Sequence, residues 1–180
     1  MASAMAPAFA LPAPVVSQGY ALRSETEDDV PFLRRLYAST REEELSQVSN
    51  WTDEQKRLFL EGQFNAQRHH YRLHIPECQW HVIECRGAPA GRLYLEVTAG
   101  RLHIVDIAFM PEHRGKGIGG AILEVLIATA RSTGRVACIF VEKFNPALRL
   151  YRRLGFTEIS DTGVYLEMEW SASNAAAPVN

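Results

Sequence analysis

Apolar residues fall at helical spacing in the first third of the chain and at strand spacing in the middle. Residues 20–23 read as a strand. Thr26 with Asp29 three positions later makes a capping box, and Val30, Phe32, Leu33, Leu36 and Tyr37 then mark one face of a helix. A second helix follows Thr52, with Asp53 and Glu54 in its first turn, an apolar face at Leu58, Phe59, Gly62, Phe64 and Tyr71, and a stop at Pro76. Three strands come next, residues 80–85, 92–97 and 101–109, parted by the turns Arg86-Gly-Ala-Pro and Thr98-Ala-Gly, and turns this short make antiparallel neighbours. A helix over residues 117–133 closes at Gly134, followed by a strand at 136–141, a short helix, and a last strand pair near 156–160 and 164–170.

This order predicts an α/β fold of the α+β mixed-sheet kind, a mostly antiparallel central sheet with helices on both faces. A helical crossover joins the strand ending at Phe109 to the one beginning at Val136, so these two strands form the parallel pair.

The junction between the meander and that crossover carries the strongest chemical signal. An apolar strand runs through Met110-Pro-Glu-His-Arg114 into four glycines, Gly115, Gly117, Gly119 and Gly120, at the start of an amphipathic helix. Missing Cβ atoms let an anion approach the backbone, and a helix's first turn offers N–H groups without intrahelical partners. With Arg114 and Lys116 alongside, the loop is built for a pyrophosphate. A P-loop is excluded because Lys116 is followed by Gly117 rather than Ser or Thr. Gly115, Gly117 and Gly120 also satisfy the dinucleotide G-x-G-x-x-G pattern, with Glu142 placed as a ribose-binding acid. In that fold, however, the first glycine leaves the strand directly, and here five residues intervene.

A second segment, Asn145-Pro-Ala-Leu-Arg-Leu-Tyr-Arg-Arg-Leu-Gly-Phe156, reads as a short helix capped by Asn145, with Pro146 at its first position and Gly155 at its left-handed end. Ala147, Leu150, Tyr151 and Leu154 share its inner face. Arg114-x-x-Gly117-x-Gly119, followed one strand later by Asn145, Tyr151 and Gly155-Phe156, resembles the GCN5-related N-acetyltransferase (GNAT) family, over about residues 20–170. The resemblance implies a GNAT-like acyl-CoA N-acyltransferase fold whose parallel strands splay apart near a bulge, and acetyl-CoA as cofactor with coenzyme A as product. It implies that Ile107, Ala108 and Phe109 hold the pantetheine and thioester, and that Arg114, Gly115, Lys116, Gly117, Ile118, Gly119 and Gly120 hold the pyrophosphate. It also makes Tyr151 the acid that protonates the departing thiolate. Asn145 stands six residues before Tyr151 where many members have seven, which makes it a helix cap first and a cofactor contact second. The activity implied is acetyl transfer to a primary amine, on a small molecule or a peptide, by direct attack in a ternary complex. A non-catalytic acyl-CoA-binding module and a dinucleotide oxidoreductase are the alternatives.

Composition narrows the rest. The 180 residues, 47% apolar and 22% charged, suit one globular domain over 18–170, between a disordered extension at 1–17 and a disordered tail at 171–180. A formal net charge of −2 provides no basic field for nucleic acid or acidic membranes. Nothing is long and apolar enough to cross a bilayer. Three cysteines without framework spacing point to a reducing compartment, and the cytoplasm is expected. His69, His70, His74, Cys78, His81 and Cys85 cluster in sequence but complete no known four-ligand pattern, so no metal is expected. A homodimer is left open.

The general base is not fixed by the sequence. His103 and Asp106 have opposite parity on one strand and face opposite sides unless a bulge intervenes, and Glu142 is a third candidate. Acceptor recognition is expected from the first two helices and the loop between them, where Arg41-Glu-Glu-Glu44 and Trp51 lie.

Overall fold

The computed structural model describes residues 9–172, so expectations for residues 1–8 and 173–180 lie outside the described residues. The elements run α1 (Ala13–Val16), β1 (Tyr20–Ser24), α2 (Val30–Thr40), α3 (Glu42–Ser46), α4 (Asp53–His74), β2 (Gln79–Cys85), β3 (Ala88–Val97), β4 (Arg101–Phe109), α5 (Ile118–Ser132), β5 (Val136–Glu142), α6 (Leu148–Arg153), β6 (Thr157–Asp161) and β7 (Tyr165–Trp170). Among the described residues seven strands form one sheet in the order β1-β2-β3-β4-β5-β7-β6. Neighbours are antiparallel apart from the parallel pair β4–β5. This mixed sheet is the expected one and rules out a doubly wound dinucleotide fold.

Alternation along the strands builds two cores. On one face Leu93, Leu95 and Ile104 meet Ile122 and Leu126 of α5. On the other, Val82 meets Phe32, Leu33 and Leu36 of α2 and Phe64 of α4. Each of these fully buried aliphatic side chains contributes about 1.5–3 kcal/mol by leaving water. The fully buried Glu25 carboxylate also ties α4 to the sheet, accepting from Arg68, from Arg72 (2.7 Å) and from the Tyr94 hydroxyl.

Three expectations need correction. Residues 9–17 were expected in the disordered extension, yet Ala13–Val16 are helical, Val15 is buried, and Phe9 and Leu11 pack on the α5-side core. Pro14 falls in the first turn, where its missing N–H breaks no bond. On α4 the buried face is set by Leu60, Phe64 and Tyr71, while Leu58 and Phe59 are exposed. Phe59 instead takes Trp51 edge-on at 5.2 Å. The turn before β3 is only Arg86-Gly87, with φ of 53° and 81°, so β3 starts four residues earlier than its apolar run.

Candidate active site

Parallel pairing of β4 with β5 runs from Arg101↔Val136 to Ile104↔Ile139 and stops. Beyond it β4 continues to Phe109 beside β3, and β5 continues to Glu142 beside β7, so the strands part and leave a cleft between them. The cause lies in β4. Tyr94 faces Asp106 and Leu95 faces Ile104, which leaves Val105 as an extra residue, a β-bulge that bends the strand. The bulge also resets parity. Glu96 and Tyr94, the partners of His103 and Asp106, are two apart on β3, so His103 and Asp106 share the sheet face covered by α4.

On the free edge of β4, main-chain groups point into the cleft. Met110 N–H donates to Ala90 O on β3 (2.9 Å), so strand alternation turns the Phe109 N–H and C=O the other way. Ile107 and Phe109 turn their side chains to the α5-side core, and Ala108 packs on the α4 side. Gly91 is required beneath them, because a Cβ there would sit 2.5 Å from Ala108 O.

The glycine loop starts at the cleft's end. Gly115 and Gly117 adopt φ of 70° and 78°, and nothing lies within 4 Å of where their Cβ atoms would be. Ile118 is buried as the first residue of α5, so its side chain anchors the turn while the N–H groups of Ile118, Gly119 and Gly120 face outward without intrahelical acceptors. This cradle, with Lys116 exposed beside it, fits a pyrophosphate. The Arg114 side chain turns back onto the protein. Its guanidinium donates to Phe109 O (2.8 Å) and to Ser39 Oγ (2.7 Å) and O (3.3 Å) on α2, so the side chain fixes the loop.

Tyr151 of α6 is buried against Phe156, and among the described residues its hydroxyl has no hydrogen-bond partner. Burial, and secondarily the negative charge of Asp106, push its pKa above that of an ordinary phenol. The phenol therefore lies within electrostatic reach of Asp106 and is fully protonated at neutral pH. Its proton is also held more tightly than a phenol near 10 would hold it. Asp106 Oδ2 accepts from Arg92 (2.6 Å) and Tyr71 (3.4 Å), and Arg92, buried inside the sheet face, also donates to Gln67 (3.0 Å). Burial raises the Tyr71 pKa too, with Asp106 adding to it. Asp106 Oδ1 takes no donor among the described residues.

Asn145 is two residues short of its expected place. α6 begins at Leu148, and Asn145 Oδ1 accepts from Ala147 N–H (2.9 Å) in the preceding turn, because Pro146 and Ala147 form that turn rather than the helix. Glu142, the third candidate base, ends β5 in a two-pronged pair with Arg41 (2.8 and 2.5 Å). Arg41 lies over the Tyr37 ring at 5.6 Å, and Tyr165 of β7 stands beside Glu142 in register. Trp51, expected near the acceptor, is engaged with Phe59. His103 approaches Glu96 Oε2 at 3.3 Å, and burial holds its pKa below the usual histidine value. Among the described residues no three His, Cys, Asp or Glu gather to hold a metal. No helix there is long and apolar enough to cross a membrane.

Sequence reasoning missed Gly91, Arg92, Tyr71, Ser39 and Tyr165. A signal existed for Arg92, since Arg92, Tyr94 and Glu96 alternate with Leu93, Leu95 and Val97, which marks one polar face of a strand too central to be solvated.

The profile of the Acetyltransferase (GNAT) family matches residues 33–156. No curated protein sequence matches the chain. Among solved structures, the PaiA N-acetyltransferase of Thermoplasma acidophilum, in complex with coenzyme A, is similar with a TM-score of 0.61 at 14% identity, over 84% of this chain and 98% of that one. The spermidine N-acetyltransferase of Vibrio cholerae, in complex with CoA and spermine, is similar with a TM-score of 0.57 at 19% identity, over 88% and 98%. The ribosomal-protein-S18-alanine N-acetyltransferase of Escherichia coli has a TM-score of 0.55 at 19% identity, over 84% and 93%. At these identities the likeness speaks for the fold.

Proposed function

Since the chain belongs to the GNAT family of acetyltransferases, we propose that it transfers the acetyl group of acetyl-CoA to a primary amine by direct attack while both substrates are bound. The observation that carries this reading is the cleft left where β4 and β5 part, together with a buried, unpartnered Tyr151 hydroxyl close enough to Asp106 for its charge to raise the phenol.

Acetyl-CoA supplies an activated thioester when bound. The amides of residues 115–120, with Lys116, hold its pyrophosphate, and Arg114 locks the loop to Phe109 and Ser39. The free edge of β4 at Ile107, Ala108 and Phe109 aligns the pantetheine arm, and the Phe109 N–H polarises the acetyl oxygen. As the amine nitrogen bonds to the acetyl carbon and the carbon–sulfur bond breaks, Tyr151 donates its proton to the sulfur. Asp106 Oδ1 takes the amine proton, directly or through a water. His103 lies before the strands part and both Glu142 oxygens are paired with Arg41, which leaves Asp106, with Oδ1 taking no donor among the described residues, as the base we favour.

Calorimetry with acetyl-CoA and NAD, followed by an amine-library assay on wild type and Tyr151→Phe, tests the reading. Acetyl-CoA binding with amine acetylation that the variant loses is expected. Binding without acetylation of any amine makes the chain an acyl-CoA-binding module, and NAD binding in place of acetyl-CoA overturns the cofactor.

A further inference from the structure

The upstream end of the glycine loop is fastened from both faces of the sheet. Glycines at 115, 117, 119 and 120 leave a backbone with many conformations, and its amides converge on one anion only when both ends of the loop are fixed. Ile118, buried, anchors the downstream end. At the upstream end a single turn, Pro111–His113, is closed by His113 N–H on Met110 O (2.9 Å) and Arg114 N–H on Pro111 O (3.1 Å). From this turn the Arg114 side chain reaches Ser39 on α2, on one face, and the His113 side chain reaches Tyr20 on β1, whose ring belongs to the core on the other. His113 Nδ1 and the Tyr20 hydroxyl share a hydrogen bond of 2.8 Å, with the rings edge-on at 5.6 Å. Tyr20 is buried and opens β1 directly after residues 9–19, which dock through Phe9, Leu11 and Val15. That segment is seated closely. Arg86 N–H donates to Gly19 O (2.8 Å), and a Cβ at Gly19, where φ is 91°, would lie 2.9 Å from Arg86 Cγ. All of it precedes residue 33, where the match to the GNAT profile begins.

We propose that Tyr20 and His113 are positioning residues for the cofactor loop, and that residues 9–20 form a strap whose docking is coupled to acetyl-CoA binding. Neither side chain binds the cofactor in this role. With their hydrogen bond made, the turn before the loop is held to both faces of the sheet, and the amides of Ile118, Gly119 and Gly120 meet the pyrophosphate without first being ordered. Without it, acetyl-CoA has to order the turn at the expense of affinity. The coupling is reciprocal, so acetyl-CoA that favours the ordered turn also favours the docked strap. The inference rests on the acetyl-transfer reading and adds to it a control on the cofactor that lies outside the cleft.

The test measures acetyl-CoA affinity by calorimetry in wild type, Tyr20→Phe, His113→Phe and the double variant, with thermal melts confirming that each is folded. Each single change keeps a ring and removes the bond, so acetyl-CoA is expected to bind about threefold to tenfold more weakly, the worth of one hydrogen bond. Because both changes remove the same bond, the double variant should be no weaker than either single one. At saturating acetyl-CoA the kcat for an amine that wild type acetylates should stay within about twofold. Hydrogen exchange of the Ser17 and Gly19 amides, which donate to Ala13 O and Val16 O, should slow when acetyl-CoA is added to wild type. This readout needs no variant, so it stands even where a substitution fails to fold. Wild-type affinity in Tyr20→Phe and His113→Phe, losses that add in the double variant, or strap amides indifferent to acetyl-CoA overturn the proposal and leave the acetyl-transfer reading standing. A wild type that binds no acetyl-CoA overturns both.

Discussion

The two sides of the cleft are built differently. The cofactor side comes from one continuous stretch, the end of β4, the glycine loop and the first turn of α5, with Tyr151 one strand later. The proposed acceptor side is drawn from five separate elements: Tyr37 and Arg41 at the end of α2, Tyr71 on α4, Asp106 on β4, Glu142 on β5 and Tyr165 on β7. On the first side backbone amides are the proposed binding groups, which demands glycines at fixed offsets. On the second side they are side chains, and any element that reaches the opening can contribute one.

The comparison breaks most sharply at Gly117. Gly117→Glu places a carboxylate in the anion cradle and forces a side chain onto a backbone with φ of 78°. Acetyl-CoA affinity should fall about a thousandfold or more by calorimetry. No neighbour lies within 4 Å of the new Cβ, so the fold should survive, and circular dichroism of the variant should match wild type. Retained affinity would mean that backbone amides are not what holds the cofactor.

The corresponding break on the acceptor side is Arg92→Met. Arg92 is buried and faces Asp106 at 2.6 Å, so its removal leaves a carboxylate without its cation inside the sheet face. Such a loss typically costs about 3–5 kcal/mol, and the melting temperature should drop by about 10 °C. Arg92→Met with Asp106→Asn should recover part of this, because the stranded charge is gone. A double variant as unstable as the single would show that Arg92 acts by packing.

These two positions also show what was legible. The loop's conformation was readable because its glycines, the α5 start and the strand before it are adjacent in sequence. The β4–β5 pair was readable from the crossover. What escaped depended on register and tertiary reach. One extra residue at Val105 turned His103 and Asp106 to the same face, and nothing in the order of side chains marks a bulge. The tie from the Arg114 side chain to Ser39, 75 residues earlier in the chain, was likewise out of reach of the sequence. Glu142 stood as a candidate base because its partner Arg41 lies 101 residues away. Leu58 and Phe59 misled for another reason, since a long helix that covers only part of a sheet buries only part of an apolar stripe.

Tyr151 is the residue proposed to serve both sides. Tyr151→Phe keeps the buried ring and its contact with Phe156 while removing the proton donor. The kcat should fall about a hundredfold, with the acetyl-CoA dissociation constant within about twofold of wild type. Because burial raises the phenol, its deprotonation should not limit the wild-type rate at moderately alkaline pH, and the basic limb of the kcat profile should lie above the usual tyrosine range. An unchanged kcat in the variant would remove Tyr151 from the chemistry and leave it as core.

Acid provides the gentlest separation, because each sheet face carries one histidine held below its usual pKa by burial. His103 lies on the α4 face, near Glu96 of β3, Glu167 of β7 and Arg101 of its own strand. His81 lies on β2 with Leu93 as its strand partner, and neither of its ring nitrogens has a hydrogen-bond partner among the described residues. A depressed folded pKa means that the unfolded chain binds the proton more readily. The stability these neutral rings contribute is complete above the ordinary histidine value of 6.5 and is lost as pH falls through the folded values. Asp29, held at about 2 chiefly by hydrogen bonds from Arg23, loses its contribution only as pH falls from 3.8 toward that value, so the two windows are distinct. Denaturant melts at a series of pH values should therefore show a shallow decline that begins just below 6.5, smaller than the effect of Arg92→Met. His81→Leu should flatten the part owed to β2 and leave the part owed to His103, whose Glu96 neighbour offsets some of the burial. A decline of the same depth in His81→Leu would place the whole of it on the acceptor face.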